Sequence, residues 1–505
     1  MSDIKQQYET FPYDSYPFAQ THPVHLATRA RLHGLTPADP RKCRYLEIGC
    51  SNARNLIDIA CGFPESEFVG IDLAENAIAE GQKVVDRLGL KNVQLIAGDL
   101  THYPLDDAPF DYMVSHGLYS WIPTPVREYL WLMHQKLLAP QGIMYLSYNV
   151  YPGCYLRRML REMMLFHVHQ YESPREKVGQ ANAFLRFLND ALASQKDVGL
   201  DARKEIDELL HHRRDSSIYH DDLSPNNEPM YFHQVVAKAN QFQLQFLSEA
   251  TFLDSTSIYF PEPIQQHLQN IETTSYLMKE QYLDFLKLRR FRSSLFCRHG
   301  NKIDHHIAID RLVTMFFSSN AQHEGELKWD KETALRIVSP NSATISLNHP
   351  LSKAAMYSMM QTFPRYWSVA ELRTHAEELL KTQGVLAEDE QELHRTLKTC
   401  YEVGLLDAKC IKPNVASQLP SRPKISANMR DQLSRGETVL TNQLHIPVEF
   451  DKYMIDFLLL CDGTRTRREL IDAPITLPDL ENFSHEEKLE RMLSKLITLA
   501  IFEAE

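Results

Sequence analysis

From about residue 41 to about residue 300, short apolar runs alternate with longer amphipathic stretches. The runs Tyr45–Cys50, Phe68–Asp72, Val93–Ala97, Phe110–Ser115 and Ile143–Tyr148 have the length and composition of buried strands. The stretches over about 53–61, 74–88 and 124–138 place apolar residues at helical spacing, with Gly89 and Gly142 just past two of them. Strands joined by helical crossovers make a parallel sheet with right-handed connections.

The alternation stops at 154–215, which reads as almost all helix. Leu156, Met159, Leu160, Met163, Met164 and Val168 share one helical face, as expected of a core-packing stripe. Phe184, Leu185, Phe187, Leu188 and Leu192 mark a second helix, and Ala202–His212 a third. The pattern then resumes with a helix over about 230–240, a strand Leu244–Leu247, a long helix over about 274–289 and a strand Phe291–Phe296. The prediction is an α/β, Rossmann-like sheet of seven strands, with a helical insertion at 154–228.

Beyond 300 the character changes. Leu335–Val338 and Ala343–Leu347 predict a hairpin. Helices follow over about 350–361, over Ser368–Thr382 with Ser368 and Glu371 as a capping box, and over Asp389–Val403. Residues 411–447 lack a sustained period and read as a linker or strap. Helices are expected at Asp451–Leu460, Thr466–Ile471 and Glu486–Leu499. The expected organisation is an arm at 1–40, a nucleotide-binding domain at 41–300, a hairpin-plus-helix module at 301–410, a linker at 411–447 and a helical module at 448–505. The C-terminal part is α+β, with helical sets of winged-helix-like character.

Bulk properties narrow the function. A chain of 505 residues exceeds one ordinary core, so two or three domains are expected. A net charge of −12 argues against a general nucleic-acid binder. No run of about 18 apolar residues exists to span a membrane, and the N-terminus lacks the pattern of a signal peptide. The eight cysteines are scattered without a CxxC pair, and the His211-His212 and His305-His306 pairs lack zinc-ligand spacing. The expectation is a cytoplasmic protein with reduced thiols and no metal. The aromatic arm, with Tyr8, Phe11, Tyr13, Tyr16 and Phe18, is expected to fold back as a strap on the next domain or a lid on its pocket.

The chemistry concentrates at the strand ends. Glu47-Ile48-Gly49-Cys50-Ser51 is an acid followed by a glycine turn into a helix. Asp72, on the second strand, stands about 20 residues past that turn, where an acid holds the ribose of a bound nucleotide. Leu73 follows it. Gly98-Asp99-Leu100 places an acid and an apolar residue after strand three, suited to an adenine amino group and ring. NAD and S-adenosylmethionine (SAM) both fit an acid at 72. Three features favour SAM: Ser51 and Ala53 stand where a pyrophosphate needs glycines, Glu47 would repel a phosphate but suits a cationic amino acid, and Asp99 completes the set. After strand four, His116, Tyr119 and Trp121 form a compact aromatic group. An amine acceptor must lose a proton before methylation, and an aromatic slot favours the neutral amine and holds the methylated cation. Tyr119 would orient the amine; His116 would accept its proton or contact the methionine part of SAM.

Four stretches carry a closer likeness: Tyr13–Pro23, Ser115–Pro123, Pro229–His233, and Glu280–Leu286 with Arg289–Arg292. In these the chain resembles a bacterial family of class I SAM-dependent methyltransferases with a methyltransferase regulatory domain, which includes rickettsial protein-lysine methyltransferases acting on a surface protein. The likeness covers about 5–300 well and the rest loosely, and implies a regulatory-type segment at 217–300. It implies a protein-lysine substrate, and it favours the lid reading for Tyr8 and Tyr13. The chain departs from the family at Ser51 and Ala53, where the turn often continues with glycines.

The expectation is therefore a SAM-dependent methyltransferase acting on lysines of a protein. Cofactor contacts are expected from Glu47, Gly49, Ser51, Asp72, Leu73, Asp99, Leu100, His116, Tyr8 and Tyr13, and catalytic contacts from Tyr119, His116 and Trp121. Two alternatives stand beside it: a small-molecule N- or O-methyltransferase whose extra region serves homodimerisation, and a non-catalytic SAM-binding scaffold. Arg289, Arg290 and Arg292 read as a solvated basic helix end, or else as a guide for an acidic substrate segment.

Overall fold

The computed structural model describes residues 15–194, 200–386, 389–473 and 484–504. Seven strands form one sheet: β1 Arg44–Ile48, β2 Glu67–Asp72, β3 Val93–Ala97, β4 Phe110–Ser115, β5 Leu138–Asn149, β6 Leu244–Glu249 and β7 Phe291–Arg298. Their order is β3-β2-β1-β4-β5-β7-β6. The first five run parallel, with Leu46 opposite Val69 on one side and Met113 on the other. Strand β7 is antiparallel to both β5 and β6. The strand order reverses between β1 and β4, and ligands bind outside the carboxyl ends of strands at such a switch point.

The alternation of side chains gives the sheet two buried faces. Leu46, Ile48, Met113 and Met144 pack on one side with Leu130, Trp131, Phe232 and Phe296. Tyr45, Phe68 and Tyr145 pack on the other, in a cluster that runs on into Phe317, Leu351, Leu372 and Leu397. The hairpin-plus-helix segment therefore shares a core with the sheet. Its helix Val369–Thr382 starts on the expected box: Ser368 Oγ accepts from the Glu371 N–H at 3.2 Å, and Glu371 Oε2 accepts from the Ser368 N–H at 2.9 Å.

The insertion contains helices Cys154–Val168, Pro174–Ala193 and Leu200–His212, around a small core of Leu160, Met164, Leu185 and Ile206. The expected core stripe is split there. Leu160, Met164 and Val168 are buried, whereas Met159 and Met163 are exposed, because the insertion covers only a narrow face of this helix. The long helix expected at about 274–289 is Tyr276–Lys287, capped by Ser275, and an unexpected helix, Glu262–Thr274, precedes it.

The largest departure is 411–447. It is not a linker: it carries helix Ala427–Ser434 and a hairpin of Val439–Thr441 with Pro447–Glu449. Met429, Leu433 and Leu440 join one core with Phe457, Leu470, Leu493 and Phe502. The helix is too short for a periodic signal, and it docks by polar contacts to the sheet domain. Among the described residues, no helix is long and apolar enough to cross a membrane.

Candidate active site

A cavity of about 670 Å³ opens at the carboxyl ends of β1, β2, β4 and β5, within the size range of small-molecule sites. One end is made by the β1 turn. Gly49 takes φ +78°, and a Cβ there would lie 3.3 Å from the Leu118 side chain. Its N–H donates to Ile71 O at 2.8 Å. The next turn residues keep a glycine-like backbone without glycine: Ser51 has φ 52° and Ala53 φ 58°. Left-handed backbone costs an L-residue roughly 1–2 kcal/mol. Asp72 holds the turn from β2, its Oδ2 accepting from the Ser51 N–H at 2.7 Å and its Oδ1 from the Ala74 N–H at 2.9 Å. Gly81 supports it from behind, since a Cβ there would lie 2.5 Å from Asn52 O.

Glu47 is the most telling group at this end. It is buried, lines the cavity, and accepts from Asn55 Nδ2 on Oε1 at 3.0 Å. Its Oε2 is buried without a hydrogen-bond partner. Burial, with Asp72 adding, pushes its carboxyl up to about 8 against the opposing Asn55 bond. An orphaned acid facing a cavity fits a cationic ligand. Asp99 spends Oδ1 on the N–H and hydroxyl of Thr101, at 2.9 and 2.8 Å. Leu73 and Leu100 line the same end. These residues fit SAM, whose amino-acid part is cationic and which has no phosphate.

The middle of the cavity is aromatic. His116 Nδ1 lies 2.9 Å from Tyr145 Oη, which donates to Ser293 Oγ at 2.9 Å. Nδ1 therefore carries the proton, and Nε2 is left as an acceptor. Burial lowers the His116 pKa to about 4, so the ring is neutral at pH 7. The Phe18 ring lies tilted against it with centroids 3.9 Å apart, and Phe291 meets it edge-on at 6.1 Å. Trp121 also lines the cavity. Tyr119 does not: it is buried in the core, its Oη accepting from Trp131 Nε1 at 2.9 Å. The expected slot of three residues is corrected to His116, Trp121, Phe18 and Phe291, because Tyr119 points to the opposite side of the turn from its neighbours. Tyr8 and Tyr13 lie outside the described residues. Ser15, Tyr16 and Phe18, which follow them, line the cavity.

The far end was not foreseen. Arg157, Arg158, Arg161, Arg213, Arg214 and Arg290 line it with three acids, Glu205, Asp221 and Asp222. Arg157 grips Asp222 through two bonds of 2.6 and 2.7 Å and Glu205 at 3.1 Å. Arg290 reaches Glu205 at 2.6 Å, and Arg213 reaches Asp221 at 3.2 Å. Burial beside Asp222 pushes Asp221 up to about 7. The two aspartates sit on a π-helical turn, Ile218–Asp222, a feature frequent at functional sites. The solvated helix end expected at Arg289–Arg292 is corrected: Arg292 is fully buried, paired with Glu249, Glu280 and Asp284 at 2.6–3.1 Å. Strand β7, antiparallel between β5 and β6, places it under the helix Tyr276–Lys287, and of the three arginines only Arg290 lines the cavity.

A seven-stranded sheet of this order, with an acid at each of three strand ends, defines a class I SAM-dependent methyltransferase. The methyltransferase domain model matches residues 39–200, and the predicted methyltransferase regulatory domain model matches residues 214–298. The uncharacterized protein RP028 of Rickettsia prowazekii is 33% identical over 243 residues, covering 48% of this chain and 97% of that one. RP789 of the same organism is 28% identical over 503 residues, covering 97% and 87%. PKMT2 from Rickettsia typhi, in complex with AdoHcy, has a similar structure, with a TM-score of 0.86 at 25% identity over 97% of this chain and 100% of that one. The chain belongs to this family of methyltransferases with a regulatory domain, and SAM is its cofactor.

Proposed function

We propose that the enzyme methylates lysine side chains of a protein, preferring lysines with acidic neighbours. The observation that carries this is the likeness to PKMT2 over nearly the whole chain, C-terminal modules included. Glu47 faces the cationic amino-acid part of the cofactor, Asp72 the ribose, and Asp99 the adenine amino group. Leu73 and Leu100 flank the adenine, while Gly49 and Ser51 set the turn. SAM supplies an electrophilic methyl group. The residues of this chain position the acceptor, which accounts for most of what such an enzyme contributes.

The lysine enters past His116, Trp121, Phe18 and Phe291, whose rings favour a neutral amine. Asp221, poised near pH 7, takes the ammonium proton. The surrounding arginines exceed the acids six to three, which suits acidic side chains beside the lysine. The same arginine excess favours a second reading, a small anionic acceptor methylated on nitrogen or oxygen.

Transfer of labelled methyl from SAM into a bacterial proteome separates the two. The proposal expects label in protein bands, released on hydrolysis as methylated lysine. Label confined to acid-soluble molecules overturns it in favour of the second reading.

A further inference from the structure

The hairpin Val439–Thr441 with Pro447–Glu449 belongs to the C-terminal module, yet His445 at its tip is buried and meets Asn55, just past the cofactor turn. Asn442 shapes the tip, its Oδ1 accepting from the Leu444 and Ile446 N–H groups at 2.9 Å each. His445 sits there with φ 60°, and its Nε2 lies 2.9 Å from Asn55 Oδ1, across 390 residues of chain.

Asn55 stands between this tip and Glu47. Its Oδ1 also faces the Phe18 amide at 2.8 Å, and that group can only donate. The side-chain amide is therefore fixed, with oxygen toward Phe18 and His445 and nitrogen toward Glu47. Nδ2 donates to Glu47 Oε1 and to Thr21 Oγ1, each at 3.0 Å. Because Oδ1 only accepts, His445 carries its proton on Nε2. Burial keeps the ring neutral, with Arg54 adding to the effect, so it acts as one N–H donor. Glu47 Oε2 is left buried and unpartnered at the cavity.

We infer that His445 is a positioning residue for the cofactor, acting through Asn55 on Glu47. A second donor on Oδ1 polarises the Asn55 amide and strengthens its bond to Glu47. It also opposes a flip that would turn an oxygen toward the Glu47 carboxyl. The last module is then a part of the cofactor site. The inference rests on the reading of Glu47 as a cofactor contact.

The test measures SAM binding by calorimetry, and cofactor KM and kcat, on the full chain. His445→Gln and His445→Met have side chains of similar shape, but only glutamine can donate. Thr441→Val releases another anchor of the same hairpin, the bond from Thr441 Oγ1 to Asp58, without touching Asn55. His445→Met is expected to weaken SAM binding about tenfold, as for loss of one buried hydrogen bond, through cofactor KM with kcat unchanged. His445→Gln is expected to recover most of the loss. Thr441→Val should lower the melting temperature and leave SAM affinity near wild type.

Equal affinity for His445→Met and wild type, alongside a weakened Glu47→Gln, overturns the inference alone. So does a Thr441→Val variant as weak as His445→Met, which would reduce the contact to simple docking. A Glu47→Gln variant that binds SAM as wild type overturns the Glu47 reading, and the inference with it. Should His445→Met fail to fold, His445→Phe against His445→Gln makes the same comparison.

Discussion

The two ends of the cavity are built by opposite means. At the cofactor end, acids on strand ends hold backbone N–H groups: Asp72 grips Ser51 and Ala74, and Asp99 grips Thr101. At the far end, side chains hold side chains, as Arg157 holds Asp222 and Glu205. The first end carries Glu47, Asp72 and Asp99 and suits a cation; the second carries an excess of arginine and suits an anion. A sheet edge offers one geometry for the cofactor, and side chains gathered on inserted helices leave the choice of acceptor open to change.

Removing Arg157 should give the largest effect and separate the two ends. Arg157→Met leaves Asp222 buried without its ion-pair partner and Glu205 with Arg290 alone. Breaking a buried ion pair costs about 3–5 kcal/mol. Denaturant unfolding should show that loss while SAM affinity stays near wild type. A large loss of SAM affinity would show that the ends are not independent. Asp72→Ala acts at the other end, removing the acceptor for two backbone N–H groups along with the proposed ribose contact. Calorimetry should show SAM binding weakened about 100-fold, or about 3 kcal/mol, as for charged hydrogen bonds.

The pH dependence sharpens the contrast further. Glu47 titrates near 8 in the fold, against an ordinary 4.5. Between those values the folded chain holds a proton that the unfolded chain has released, so stability from this group is full below 4.5 and is lost as pH rises through 8. Asp58 and Asp221, raised to about 6 and about 7, act in the same direction. A cationic cofactor favours the carboxylate, so its binding expels the proton and tightens as pH rises toward 8, by up to tenfold per unit. Calorimetry across pH should show that slope, and Glu47→Gln should flatten it. The smallest effect belongs to the turn backbone. Ser51→Gly and Ala53→Gly remove left-handed strain but loosen the unfolded chain, so each should shift stability by less than about 1 kcal/mol. Thermal melts check this, with SAM affinity retained.

The same contrast explains what the sequence made legible. That Glu47, Gly49, Asp72 and Asp99 line one cavity was readable because each lies at a fixed place on a strand or turn, where spacing encodes geometry. Ser51 and Ala53 were visible as departures, but the left-handed backbone they keep was not. Tyr119 was misplaced because adjacent residues in a turn face opposite ways, which composition does not reveal. Asp222 meets Arg157 only through tertiary packing, at a separation of 65 residues. His445 was hidden most completely, since its partner lies 390 residues away and its hairpin lacks a periodic signal.

The central claim is that the arginine-lined end selects the acceptor. Two peptides of equal length, each with one lysine, test it: one flanks the lysine with glutamates, the other with lysine-free basic residues. The account expects kcat/KM for the acidic peptide to be higher by about tenfold or more, as for a gained charge-assisted contact, with the preference lost in Arg290→Met. Equal rates, or a preference for the basic peptide, would contradict it.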